Sequence, residues 1–188
     1  MTAPDQKPNG DPQHPDDMSP EAVRDRIVRL AFGGDRSRYD TFVEALREVV
    51  PPDVQVVLRG SAVTGMRWAD GQPFDADGPG TSDLDLTLVG GGMPKLWNEF
   101  YIPGVHSVPL SEQYPEASHV FKPLRRALCA LTGREVNIQA TTDLVQQVRD
   151  LLLDQPYFVM VEEGEGRGPS AEDGSAEDGE TPEKREAV

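Results

Sequence analysis

Between a turn-rich stretch and Gly90-Gly91-Gly92 the chain reads Asp83-Leu84-Asp85-Leu86-Thr87-Leu88. Apolar and polar residues alternate with the period of an extended strand, not of a helix. The three leucines therefore share one face, and Asp83, Asp85 and Thr87 share the other. A strand of this kind is buried on one side. Its neighbours must cover the leucines and leave the carboxylates open to water or to a ligand.

The surrounding sequence supplies those neighbours. Ser19-Pro20 reads as an N-cap followed by Pro at the first helical position. Val23, Ile27 and Leu30 then recur at helical spacing until Gly33-Gly34. A second helix is expected from about Asp35 to Ser37 onward, with Tyr39, Phe42, Leu46 and Val49 as its apolar stripe and Pro51-Pro52 as its stop. Val54 to Leu58 is a β-branched run and reads as a buried strand leading into Arg59-Gly60-Ser61. A short helix is expected around Lys95 to Tyr101, and a longer one from Glu116 or Pro123 to Leu131, capped by Gly133. Glu135 to Ala140 reads as a third strand, with Val136, Ile138 and Ala140 on one face and Glu135, Asn137 and Gln139 on the other. A last helix carries Leu144, Val148, Leu151 and Leu152, followed by an apolar stretch from Tyr157 to Val161. The order of elements implies an α/β (α+β) fold, a small mixed sheet packed with helices.

Residues 1–18 and 162–188 hold little that can be buried, and both are expected to be disordered around a single domain at 19–161. The partition of charge supports that division. Of the net −15, the first segment carries −3, the last −7 and the domain −5. A mildly acidic domain argues against an extended nucleic-acid surface, which needs clustered Lys and Arg. The acidic tail reads as a solubilising segment or as a partner-binding or autoinhibitory one. Cys129, the single cysteine, sits in an apolar stretch and reads as a core residue. No signal peptide or membrane span is read in the sequence, so a cytoplasmic protein is expected.

Two acidic residues spaced i, i+2 on a strand project from one face, roughly 6–7 Å apart along the chain. That suits a Mg²⁺ ion, which is held by one or two carboxylates and completed by phosphate oxygens. Upstream, Gly60 lets the backbone approach a phosphate closely, and Ser61 offers a hydroxyl and an amide N–H. A helix starting there would add its positive end. Strand, Gly-Ser, turn, then a strand with Asp-x-Asp resembles the polymerase-β-like nucleotidyltransferases. The resemblance runs over about 35–140, and GSAVTG is similar to the longer form with a second glycine, here Gly65.

The resemblance implies transfer of NMP from an NTP such as ATP to a hydroxyl of an acceptor, with Mg²⁺ at a two-metal site. Asp83 and Asp85 would hold metal, and Gly60, Ser61 and Ser82 would contact the nucleotide. The acceptor could be a small molecule, an RNA or a protein, and a protein partner, as in a toxin–antitoxin-type pair, is open. The family also carries a third carboxylate on the third strand as general base. Here Asn137 stands where that acid is expected, and Glu135 has the same facing one pleat away. Either Glu135 supplies the catalytic acid or the chain is a catalytically degenerate nucleotide-binding or regulatory module. Asp143 is a further acid nearby that reads better as a helix cap.

The second departure is length. Twenty-one residues separate Ser61 from Asp83, with the excess in MRWADGQPFDADGPG. It reads as a surface insertion, or as a lid or acceptor-recognition loop carrying Trp68 and Phe74. Asp75-Ala76-Asp77-Gly78 does not continue as a calcium loop, because Pro79 and Leu86 fall where ligands are required. Lys122, Arg125 and Arg126 form a compact basic cluster, either a phosphate or RNA contact or a solvated helix face. His14, His106 and His119 have no metal-ligand spacing.

Overall fold

A computed structural model of the chain describes residues 14–102, 107–142 and 155–169. The expected last helix, with Asp143, lies outside the described residues, as do His106 and the segments 1–13 and 170–188.

Two helices open the fold. Helix α1, Pro20–Ala31, is capped by the Ser19 side chain, which accepts from the Ala22 N–H. Helix α2, Arg36–Val49, is capped by Asp35, which accepts from the Arg38 N–H at 3.0 Å. Strand β1 is Gln55–Arg59, and the single-turn helix α3, Ser61–Thr64, follows it directly. Strand β2 is Leu84–Val89. Helix α4, Lys122–Thr132, ends on Gly133 in the left-handed conformation, and strand β3 is Val136–Thr141. The expected helix around Lys95 is instead two single 3₁₀ turns, Met93–Leu96 and Glu99–Tyr101. The apolar stretch after the last expected helix is a fourth strand, β4, Tyr157–Val161.

The sheet has the order β3-β2-β1-β4. Strand β1 runs antiparallel to β2 and β4, and β2 runs parallel to β3, so the sheet is mixed. The expected α+β architecture is therefore the observed one. Partners across a sheet share a face, so the register divides every strand. Leu84, Leu86 and Leu88 line up with Leu58, Val56, Val136, Ile138 and Ala140. Together with Ile27, Phe42, Leu46 and Leu128 from the helices they form the buried core. The opposite face carries a row across all four strands: Tyr157, Arg59, Asp85 and Asn137. Among the described residues no helix is long and apolar enough to cross a membrane.

The packed region reaches past the expected edges at 19 and 161. Pro15 is buried in a 3₁₀ turn, Pro15–Asp17. At the other end, residues 164–168 lie along the end of α2. The N–H groups of Arg167 and Gly168 donate to the Arg47 and Val50 carbonyls at 2.7 and 2.9 Å. Those carbonyls belong to the last turn and cap of α2, which cannot pair within the helix. Arg167 also pairs with Glu44 and Glu48, and Glu165 with Arg47. Backbone pairing and charge, not apolar content, hold this segment down, so composition alone set the edge too early.

The close approach depends on glycine. A Cβ on Gly168 would come 2.0 Å from the Val49 carbonyl oxygen, which is backbone and cannot move aside cheaply. Gly168→Ala is expected to lower stability in urea unfolding by about 1–3 kcal/mol, the range for a strained backbone contact. Arg167→Ala removes only exposed ion pairs and is expected to do clearly less. Equal effects would show that charge, not backbone fit, holds the segment.

Candidate active site

The Gly60-Ser61 turn and the acidic strand meet because Arg59 pairs with Asp85 across β1 and β2. Gly60 has φ +78° and ψ −158°, a region open essentially to glycine alone. A Cβ there would also stand 3.2 Å from Asp85 Oδ2. The bare backbone is thus what lets the turn lie against the carboxylate. Ser61 opens α3, a single turn in which the Val63 and Thr64 N–H groups both donate to the Gly60 carbonyl, at 3.0 and 3.2 Å. At one turn, α3 is too short to add the helix-dipole grip expected of a longer helix. Its other end is fixed from α1, where the Arg26 guanidinium donates to the Val63 and Thr64 carbonyls at 3.0 and 3.2 Å.

Asn137 lies directly opposite Asp85 on β3. Its amide nitrogen donates to Asp83 Oδ2 at 2.7 Å and to Asp85 Oδ1 at 3.1 Å. The NH₂ end must face the acids, because the amide oxygen there would add a third acceptor. Asp85 is half-buried, and Asp83 is exposed. Burial pushes the Asp85 carboxyl above its ordinary range and the neighbouring Asp83 charge adds to this, while the Asn137 hydrogen bond offsets part of it. The pair is held together, and its charge is only partly relieved.

Glu135 takes a different position. It is exposed and ion-paired with Arg125 of α4, which also donates to the Val136 carbonyl at 2.8 Å. The side chain that reaches both aspartates is Asn137, an amide. Ser82, expected to contact nucleotide, is buried and turned into the preceding loop, where its Oγ accepts from the Asp75 N–H at 2.8 Å. Of the basic cluster, Lys122 pairs with Glu116 and Arg125 with Glu135. None of the three lines the cleft described below.

A cleft of about 550 Å³ opens over the Arg59–Asp85–Asn137 row and takes in Gly60, Thr64 and Trp68. Its walls also include His14, Pro15 and Pro156, from segments that carried no functional signal in the sequence. Those residues reach the site only through the fold. Among the described residues, no group of three or more His, Cys, Asp or Glu side chains gathers to hold a metal. Two carboxylates remain, with an amide beside them. They do not form an all-protein cage, but they do suit Mg²⁺, which takes hard oxygen ligands and completes its shell with water and phosphate.

The insertion 66–81 is a pinned loop. Asp75, at φ +57°, forms a two-armed ion pair with Arg134, 3.1 Å on each arm. Its carboxylate also accepts from the Gly80 and Ser82 N–H groups at 3.0 and 2.9 Å. Arg134 donates in turn to the Ser82 carbonyl at 2.6 Å and lies over the Phe74 ring at 4.7 Å. Phe74 is thus a buried anchor of the loop. This network fixes the residue immediately before Asp83. Burial works to raise the Asp75 carboxyl, but the Arg134 guanidinium and the two N–H groups outweigh it and hold it at about 2, against an ordinary 3.8.

No protein-family model, curated protein or solved structure matches the chain. The resemblance drawn from the sequence rests on Gly60-Ser61 and Asp83-x-Asp85 alone.

A depressed folded-state pKa stabilises the fold above the unfolded value and loses that contribution as pH falls through the folded one. For Asp75 the window is about pH 4 down to pH 2. Asp75→Asn is expected to lower stability at neutral pH by about 1–2 kcal/mol after allowance for solvent screening. The gap to wild type should close as urea midpoints are followed from pH 5 to pH 2. A gap independent of pH would mean that Asp75 acts through shape and not through charge.

Proposed function

We propose that this cleft is a metal-dependent nucleotidyl-transfer site, moving NMP from an NTP to a hydroxyl of an acceptor. One juxtaposition supports the reading: a glycine turn with bare backbone lies against a half-buried carboxylate that is paired with a second one, at the floor of a cleft. Asp83 and Asp85 would hold Mg²⁺, and the Gly60-Ser61 backbone would take phosphate oxygens. Bound Mg²⁺ supplies positive charge to the phosphates and to the leaving pyrophosphate.

The chain's own part is positional. Transfer forms a bond from the acceptor oxygen to the α-phosphorus and breaks the α–β bridging P–O bond, and the acceptor proton must leave. Asn137 orients both aspartates through its two hydrogen bonds. As a neutral amide it takes up no proton, so of these three side chains only the aspartates could accept one. The pinned 75–82 loop fixes where Asp83 begins.

Asn137 also favours a second reading. With an amide in place of an acid, the site would bind NTP and Mg²⁺ without turnover, as a nucleotide-binding or regulatory module. In that case a protein partner, as in a toxin–antitoxin-type pair, would read the bound state.

Incubation with Mg²⁺, α-labelled NTPs and hydroxyl-bearing small molecules, RNA ends or proteins separates the two. Label transfer is expected from the wild type. Asp83→Ala or Asp85→Ala should cost more than the roughly 10- to 100-fold typical of a residue that only supports a metal ligand. Transfer unaffected by either substitution rejects the site, and calorimetric NTP binding without transfer favours the module.

Metal occupancy has its own signature in stability. Asp85→Asn removes a carboxylate whose ionisation burial and Asp83 oppose. It is expected to raise the melting temperature in EDTA and to abolish the rise that MgCl₂ gives the wild type. A Mg²⁺-dependent shift that survives in Asp85→Asn would place the ion elsewhere.

A further inference from the structure

Resting on the nucleotide reading of the cleft, we infer that Trp68 is the stacking platform for the ligand's base, so that the site holds a planar heterocycle by its ring face. Trp68 lines the cleft together with Gly60, Asp85 and Asn137. Its side chain is 76% exposed, while the other tryptophan, Trp97, is 4% exposed and donates from its ring nitrogen to the Val108 carbonyl at 3.1 Å. No ring contact with Trp68 occurs among the described residues.

An exposed indole on a loose loop would mean little, but this one stands on a braced turn. The Arg67 N–H donates to the Gln72 carbonyl at 2.7 Å, and the Gly71 N–H to the Arg67 carbonyl at 2.9 Å. Met66 and Pro73 bridge as a short antiparallel pair, and the Phe74 N–H donates to the Gly65 carbonyl at 3.0 Å. The Arg67 guanidinium is held by Asp70 and Asp77 on either side. The Asp75–Arg134 pair then ties the far end of the loop to the starts of β2 and β3. The turn is therefore ordered before a ligand arrives, and stacking on it carries little further ordering cost. Because Arg67 is already committed to two aspartates, the loop presents an aromatic face and not a free cation. That chemistry selects a base, not a second phosphate.

Stacking uses the π-face, which every base has, so it tolerates base identity. The site is accordingly expected to bind ATP and GTP within a few-fold of each other.

The test uses the full chain with Mg²⁺ and three probes: ATP, adenosine and inorganic triphosphate. Both tryptophans emit, but a quench on ligand binding reports on Trp68, since Trp97 is buried and does not line the cleft, and calorimetry gives affinity. ATP is expected to quench the wild type. Trp68→Phe keeps a ring, so it should retain ATP affinity within about threefold and lose the quench. Trp68→Ala should weaken ATP about tenfold or more and leave inorganic triphosphate unchanged. ATP binding to Trp68→Ala as tight as to the wild type overturns the inference, also where that variant instead changes the oligomeric state. Binding of ATP that depends on Mg²⁺ and Asp85 but ignores Trp68 leaves the nucleotide reading standing while the platform fails. Binding of adenosine and ATP that needs Trp68, with no binding of triphosphate and no effect of Asp85→Ala, does the reverse. Silence from all three probes overturns both.

Discussion

The candidate site exists because β2 has one register available to it. Leu84, Leu86 and Leu88 are all essentially fully buried. Slipping β2 by one residue would turn all three toward the cleft and drive Asp85 into the core. Burying a leucine is worth about 1.5–3 kcal/mol, so such a slip forfeits several kcal/mol before the charge is counted. That is comparable to the whole stability of a small domain, about 5–15 kcal/mol. The apolar face thereby fixes the polar one. With β2 set, Arg59 is brought opposite Asp85 from one side and Asn137 from the other.

The same register explains which parts of the fold and site were legible in the sequence. Caps such as Ser19, Asp35 and Gly133, and the alternation in β2 and β3, are local patterns, and each lies where its pattern implies. The third strand shows where local pattern stops. Glu135 and Asn137 have equal parity, so facing alone could not choose between them. The choice is made by the pairing of Leu84 with Val136, which puts Asn137 beside Asp85 and leaves Glu135 to Arg125. Strand β4 was hidden for a different reason: its residues, Tyr157–Val161, are apolar throughout and carry no alternation. The bonds that pin the insertion were hidden by distance, since Asp75 and Arg134 lie 59 positions apart. Arg167 and Glu44 lie further apart still, 123 positions, and nothing local announces either pair.

The insertion changes meaning once those long-range bonds are seen. A Gly- and Pro-rich stretch of its length reads as a surface excursion. In the fold it is a strut that joins α3 to the start of β2, with Phe74 buried at 8% exposure and Asp75 at its centre. The residue types that suggested looseness are the ones that make the strut possible. Gly80 gives its N–H to Asp75, and its φ of +82° is one that other residues rarely adopt. The loop therefore presents Trp68 from a fixed base.

Asn137 then has a physical role that either functional reading must accommodate. Two carboxylates side by side, one of them half-buried, repel each other and lose hydration. An acid in the facing position would add a third charge to a group whose ionisation is already opposed by burial and by Asp83. An amide instead gives both acids a donor, at 2.7 and 3.1 Å, and brings no charge of its own. The pair can therefore persist without a cation, preorganised on one face of the sheet. A third carboxylate in that position would make the fold less stable. With Asn137, the two acids share one neutral donor, and the row gains no third charge.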